Sequence, residues 1–459
     1  MLFKGSREFV PLYALYALLF ADHGLTTAQI SSLFALWSIT SFVLEVPSGA
    51  WADTVSRRGL LVLSGALVAA AFTVWTAAPS YLGFALGFVL WGVAGALESG
   101  TFEALIYDDL AARERAGEYA RVMGYARAAA EGAVVVAILA AAPLYALGGY
   151  GLVGWLSVAI ALAHTALACG LPSVPKAGSV AEIDAAPEPV VPGHPPVRGE
   201  PRATEHSVGE RWVRRVADAD SGPPARAVAA DGDATTVAGG DGVAARYLRM
   251  LRAGVGETVR TPRIRRAVLL GSMLFGITAY DEYFALLAQS VGVPTAVVPV
   301  LIGVTVVGSM TGTLLAGRTS GWPGPRLAVM VAVGGLLFVA GALVAGLAAG
   351  RTGWVYPLTA AGFIALGVGY GAVLNAEIVA DARLQDAIEG PARATVTSVS
   401  GLLAEVVALA VFGLAALAAT WLSMAVTLAV LGALMLGVAA LTPSWLPRPA
   451  ADPATVDGR

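Results

Sequence analysis

Apolar residues run for about 20 positions at a time along most of this chain, broken by short clusters of Gly, Pro, Asp and Arg. Twelve such stretches can be bounded, at 8–23, 28–51, 59–78, 80–107, 119–142, 150–171, 266–290, 294–317, 326–349, 353–380, 391–418 and 421–442. Each is long enough, as a helix, to cross roughly 30 Å of hydrocarbon. A membrane β-barrel would alternate polar and apolar positions, and these stretches do not. Backbone groups in lipid must be satisfied within the chain, so the pattern predicts an all-α integral membrane protein of twelve spanning helices. The first run ends in Asp22-His23 rather than a small-residue cleavage site, which predicts a span and not a removable leader.

Composition sharpens this picture. Hydrophobic residues make up 57% of the chain and charged residues 13%, far from the balance of a soluble domain. Mean hydropathy is +0.72. A net charge of −3 spread over loops gives no reason to expect a nucleic-acid partner, and a single Cys169 excludes an internal disulfide or a cysteine-based metal cluster. No cofactor or metal is expected. Basic residues sort by side: Lys4, Arg7, Arg57, Arg58, Arg113, Arg115, Arg121, Arg318, Arg326, Arg383, Arg393 and Arg448 fall with the N-terminus, while the opposite loops offer Arg351. The positive-inside rule then predicts a multi-pass protein of the cell membrane with both termini in the cytoplasm.

Between the sixth and seventh spans lies a stretch rich in Pro, Ala and mixed charge. Its composition predicts a largely disordered linker. Two pieces, "GERWVRRVADA" from Gly209 and "VAARYLRMLRAG" from Val243, carry apolar residues at helical spacing and could lie on the membrane surface or merely tether. The expected organisation is a six-helix bundle over 1–171, the linker over 172–262, a second six-helix bundle over 263–446 and a tail over 447–459.

The bundles repeat one another. "GLTTAQ" at Gly24 matches "GVPTAV" at Gly292, and Gly49 and Arg58 match Gly317 and Arg326, all displaced by 268. Asp108 matches Asp381, displaced by 273, and Arg121 matches Arg393, displaced by 272. Shared order at nearly fixed offset predicts two pseudo-symmetric halves around a midplane site.

The charged turn after the second span, "GAWADTVSRRG", resembles the G-x-x-x-D-[RK]-x-G-[RK]-[RK] signature of the major facilitator superfamily, matched by Gly49, Asp53, Arg57 and Arg58. Thr54 replaces its first cation and Ser56 its turn glycine. The resemblance implies that Gly49, Asp53, Arg57 and Arg58 form a conformational latch on the cytoplasmic side; a plain topological anchor is the alternative. Phe88 stands where the family's fourth span carries an arginine, and "AILAAAPLYALGG" keeps only Pro143 and Gly148-Gly149 of the antiporter signature. "EVPSG" at Glu45 and "FEALIYDDL" at Phe102 resemble a drug-efflux-like bacterial branch. The resemblance implies a monomeric secondary transporter working by alternating access, with protons as coupling ion and export of a lipophilic or cationic small molecule. Import of a small metabolite and a polytopic membrane enzyme are the alternatives, although no P-loop or catalytic cluster supports the enzyme.

Ionisable residues at membrane depth are costly and therefore candidates. Counting about 1.5 Å per residue from Asp108 and Arg121 places Glu103 and Arg127 roughly 7–9 Å deep and Glu98 and Glu131 roughly 15 Å deep. Burial in an apolar cavity favours the protonated carboxyl and a nearby arginine the ionised one, so these four could load and release a proton; a static ion-pair network is the alternative. In the second half, Asp281, Glu282 and Glu405 lie roughly 18–22 Å inside their spans. They suit a cationic amphiphile, with Tyr280, Tyr283 and Phe284 available for stacking. His164 reads as a packed, hydrogen-bonded histidine.

Overall fold

The computed structural model describes residues 1–172, 261–388 and 393–448; the linker pieces at 209–219 and 243–254 lie outside these, as do the side chains of 45–54. All regular elements among the described residues are helices. In the first half these are α1 (Leu2–Glu8), α2 (Tyr16–Asp22), α3 (Thr27–Thr54), α4 (Arg57–Ala77), α5 (Tyr81–Glu98), α6 (Thr101–Ala112) and α7 (Tyr119–Cys169). In the second they are α8 (Pro262–Gly276), α9 (Phe284–Ser290), α10 (Val298–Thr319), α11 (Gly324–Gly346), α12 (Val355–Ala387), α13 (Arg393–Ala418) and α14 (Met424–Trp445).

Nine segments among the described residues are long and apolar enough to cross a membrane. One of them doubles back: α7 turns at Gly148 and Gly149, the latter at φ +58°, a conformation that glycine adopts without strain. Two further crossings escape that tally because each is broken into short helices. The first is α1, a 3₁₀ turn at Pro11–Ala14, and α2; the other is α8, a 3₁₀ segment at Ile277–Tyr283, and α9. Pro11 opens the first break because it has no N–H to donate. With these, the described helices make up twelve crossings.

The internal repeat is visible in the backbone. An offset of 268 carries Pro11–Ala14 onto 279–282, inside the second 3₁₀ segment. It also carries Gly24, at φ +85°, onto Gly292, at φ +91°. Each glycine ends its helix in the same way, with the next residue donating five positions back: Leu25 N–H to Phe20 O, and Val293 N–H to Ala288 O.

Two departures from the family signature and from the expected spans have local causes. Ser56, in place of the turn glycine, caps α4 by accepting from Gly59 N–H at 3.3 Å, as Ser80 caps α5 and Ser423 caps α14. The first and seventh crossings begin at Leu2 and Pro262 rather than at 8 and 266. Lys4 and Arg7 sit within the first crossing because it brings them to partners on α5 and α6.

Within the second half, α10 and α12 touch backbone to backbone. A Cβ added to Gly308 would meet Gly367 O at 2.3 Å, and one added to Gly312 would meet Gly371 O at 2.0 Å. Small residues permit this approach, which stands in for hydrophobic driving force in lipid.

Candidate functional site

The halves meet where α2 and α3 face α9 and α13, and where α7 faces α10. Phe34 packs against Tyr283 at 5.9 Å and Phe412 at 5.5 Å between ring centroids. Four hydrogen bonds cross this seam among the described residues. Gln289 donates to Asp22, Tyr16 OH donates to Glu282, Ser31 and Tyr283 share a hydroxyl pair at 2.7 Å, and Ser38 Oγ donates to Glu405. All four lie from midspan to the face opposite the termini. Ser38 stands roughly 17 Å from the far start of α3 and Glu405 roughly 20 Å from the far end of α13.

Two of the acids singled out in the sequence therefore hold the seam. Glu282 and Glu405 are each half-buried and each bonded to a hydroxyl of the opposite half. Asp281 stays within its own half and accepts from Tyr370 OH at 2.8 Å. None of the three has a basic side chain within 4.0 Å among the described residues. An unbalanced carboxylate at membrane depth is expensive.

The aromatic partners differ from those expected. Tyr280, Tyr283 and Phe284 are 0–1% exposed, packed against Phe338, Phe412 and Tyr370, and have no face left for a ligand. The half-buried aromatics are Tyr370 on Asp281 and a ladder from the first half. Trp91 stacks on Tyr13 at 5.2 Å and on Trp37 at 5.4 Å, within 16° and 25° of parallel. Tyr16 links this ladder to the acids, with its ring 6.2 Å from Trp91 and its hydroxyl on Glu282. Spacing alone did not reveal the ladder, because Tyr13, Trp37 and Trp91 come from three different crossings.

Below the seam, toward the termini, the charged residues of the fourth and fifth crossings are only partly brought together. Glu98 is 8% exposed and bound by Arg7 Nε at 2.7 Å and Lys4 Nζ at 3.1 Å. Arg7 also donates to Tyr13 OH at 3.0 Å, and Lys4 lies 3.5 Å from Glu103. The expected companions of Glu98, Arg127 and Glu131, are exposed on α7 and join no ion pair among the described residues. They line a cavity of about 550 Å³ with Lys4, Glu8 and Glu103. Glu98 lines a second cavity of about 390 Å³ that shares Lys4, Glu8 and Glu103. Arg7 and Lys4, missed as site residues, could have been suspected from "KGSRE", where Lys4, Arg7 and Glu8 fall on one helical face. His164 is packed as expected, 2% exposed and 3.0 Å from Ser6 Oγ through Nδ1.

At the loop between α3 and α4, Arg57 donates to Asp108 and, at 3.3 Å, to Ala104 O; Arg58 reaches Leu171 O at 3.4 Å. The other two latch residues, Gly49 and Asp53, lie among side chains outside the described residues.

Twelve crossings in two repeats, with acids and aromatics meeting at the seam, now have a match. The model of the Major Facilitator Superfamily matches residues 6–384. The chain belongs to the major facilitator superfamily. It is thus a secondary transporter of a small molecule across a bilayer, and not an enzyme. The superfamily member is similar in fold to the nucleoside transporter NupG, with a TM-score of 0.63 at 10% identity, covering 96% of this chain and 95% of that one. It is also similar to a POT family transporter crystallised with a thioalcohol-conjugated peptide, with a TM-score of 0.56 at 12% identity and coverage of 96% and 94%. At such identities the likeness is one of fold alone. No curated protein matches the chain in sequence.

Proposed function

We propose that this transporter exports a lipophilic cation in exchange for protons, with Asp281, Glu282 and Glu405 receiving each in turn. The observation that carries the reading is the trio of carboxyl groups at the seam, free of basic partners among the described residues and adjoined by the Tyr13–Trp91–Trp37 ladder. A cation gains from the carboxylates and from ring faces alike. Binding of a cation and of a proton to one carboxylate exclude each other, which is the thermodynamic requirement for exchange. With both termini in the cytoplasm, as the basic residues favour, a seam closed on the far side belongs to the conformer that loads from within. Glu98, held by two cations, serves as a fixed anchor between the first and fourth crossings, while Arg57 and Asp108 are the described part of the latch.

The mixed-charge cavity lined by Lys4, Glu8, Arg127 and Glu131 favours one other reading, carriage of a small zwitterion. Proteoliposomes under an imposed pH gradient, offered lipophilic cations, sugars and dipeptides, separate the two. Cation movement that collapses with an uncoupler, and falls about tenfold or more in Glu282→Gln and Glu405→Gln, supports exchange at the seam. Undiminished cation transport by both variants would overturn it, and movement of dipeptides alone would transfer the assignment to the zwitterion.

A further inference from the structure

We propose that the groove between α10 and α11 is a binding site for one anionic phospholipid, its phosphate at Arg326 and its two acyl chains on either side of α12. Two cavities, of about 750 Å³ and 510 Å³, adjoin one another there and share Trp322, Met330, Val368 and Ala372. Their linings are otherwise nearly all apolar, and the larger one includes the exposed Arg326 at its mouth. From Arg326 to Leu337, the extent of the larger arm along α11, is roughly 16 Å, close to the ~15 Å of hydrocarbon in one leaflet. Two apolar arms leaving one basic mouth match the shape of a two-chain lipid. Basic crevices between spanning helices are suited to anionic head groups.

The charge at the mouth has no competing use. Arg57 and Arg58, in the corresponding loop of the first half, bond inward to protein acceptors. Arg318 and Arg326 are exposed and join no ion pair among the described residues. An arginine at the membrane surface is attracted to an anionic lipid head group. This site lies outside the seam and stands whether or not the transported molecule is a cation.

The test uses full-length protein in an uncharged detergent, with phosphatidylglycerol, phosphatidylcholine of the same chains, and glycerol 3-phosphate as probes. Native mass spectrometry and thermal unfolding are the readouts. One phosphatidylglycerol is expected to be retained and to raise Tm, while phosphatidylcholine binds about tenfold more weakly. The Arg318→Gln/Arg326→Gln protein should lose that preference with its lipid-free Tm unchanged, and Val333→Trp, which fills the larger arm, should lose affinity for both lipids. Equal binding of the two lipids, or a preference that survives the double substitution, would overturn the site. Stabilisation by glycerol 3-phosphate equal to that by the lipid would overturn it in favour of a free phosphate.

Discussion

The two loops on the terminus side, "GAWADTVSRRG" after the second crossing and "GRTSGWPGPR" after the eighth, occupy matching places and are tied down by opposite means. In the first half the cations sit on the loop: Arg57 reaches Asp108 and Ala104 O on α6, and Arg58 reaches Leu171 O beyond the sixth crossing. In the second half the cation sits on the helix. Arg383 of α12 donates to Ser320 O at 2.6 Å and to Trp322 O in the loop, and to Pro447 O beyond the twelfth crossing at 3.2 Å. The same three parts of each half are joined, but only the first uses an acid. A pair of charges can be opened by a competing charge, whereas an arginine capping carbonyls has no partner to titrate or displace. The first tie is thus suited to switching and the second to permanence.

That contrast can be broken most severely at Arg383, which is 4% exposed. Arg383→Ala strands the buried carbonyl of Pro447 and the part-buried ones of Ser320 and Trp322 and should cost about 3 kcal/mol, read as a loss of Tm in detergent, with transport falling in step with folded protein. A double-mutant cycle over Arg57→Gln and Asp108→Asn should return a coupling of about 1–2 kcal/mol. Unlike the Arg383 variant, these should change the rate of transport in correctly folded protein. The smallest effect belongs to Arg318→Ala and Arg326→Ala, within about 0.5 kcal/mol in lipid-free detergent. A large loss of stability there would mean that the second loop still carries a latch of its own.

Crossings were legible because burial in lipid demands long apolar runs, and the repeat was legible because Gly24 and Gly292 must both adopt left-handed backbone. The acids Asp281, Glu282 and Glu405 stood out for the same reason, each being an exception in an apolar run. Their partners did not. Tyr16, Ser31, Ser38 and Tyr370 are ordinary residues until the register between crossings is known. Lys4 and Arg7 read in sequence as flanking cations, since a local window cannot see Glu98, more than ninety positions away. Counting depth along α5 and α7 matched Glu98 with Glu131 by level, but level alone does not say which faces of two helices meet. The expected stack of Tyr280, Tyr283 and Phe284 failed on this account, as Tyr280 and Phe284 turn into the packing of their own half and Tyr283 is buried in the seam against Phe34 and Ser31.

The hydroxyl groups that close the seam have a consequence of their own. A hydroxyl can give its hydrogen to a carboxylate or accept one from a carboxylic acid, so the bonds of Tyr16 to Glu282 and Ser38 to Glu405 survive either state of the acid. An arginine in either place would clasp the ionised form and let go of the neutral one. The closure is indifferent to the charge of the acid, and under the proposed exchange a carrier that makes the return trip with a different passenger requires a door that shuts on both.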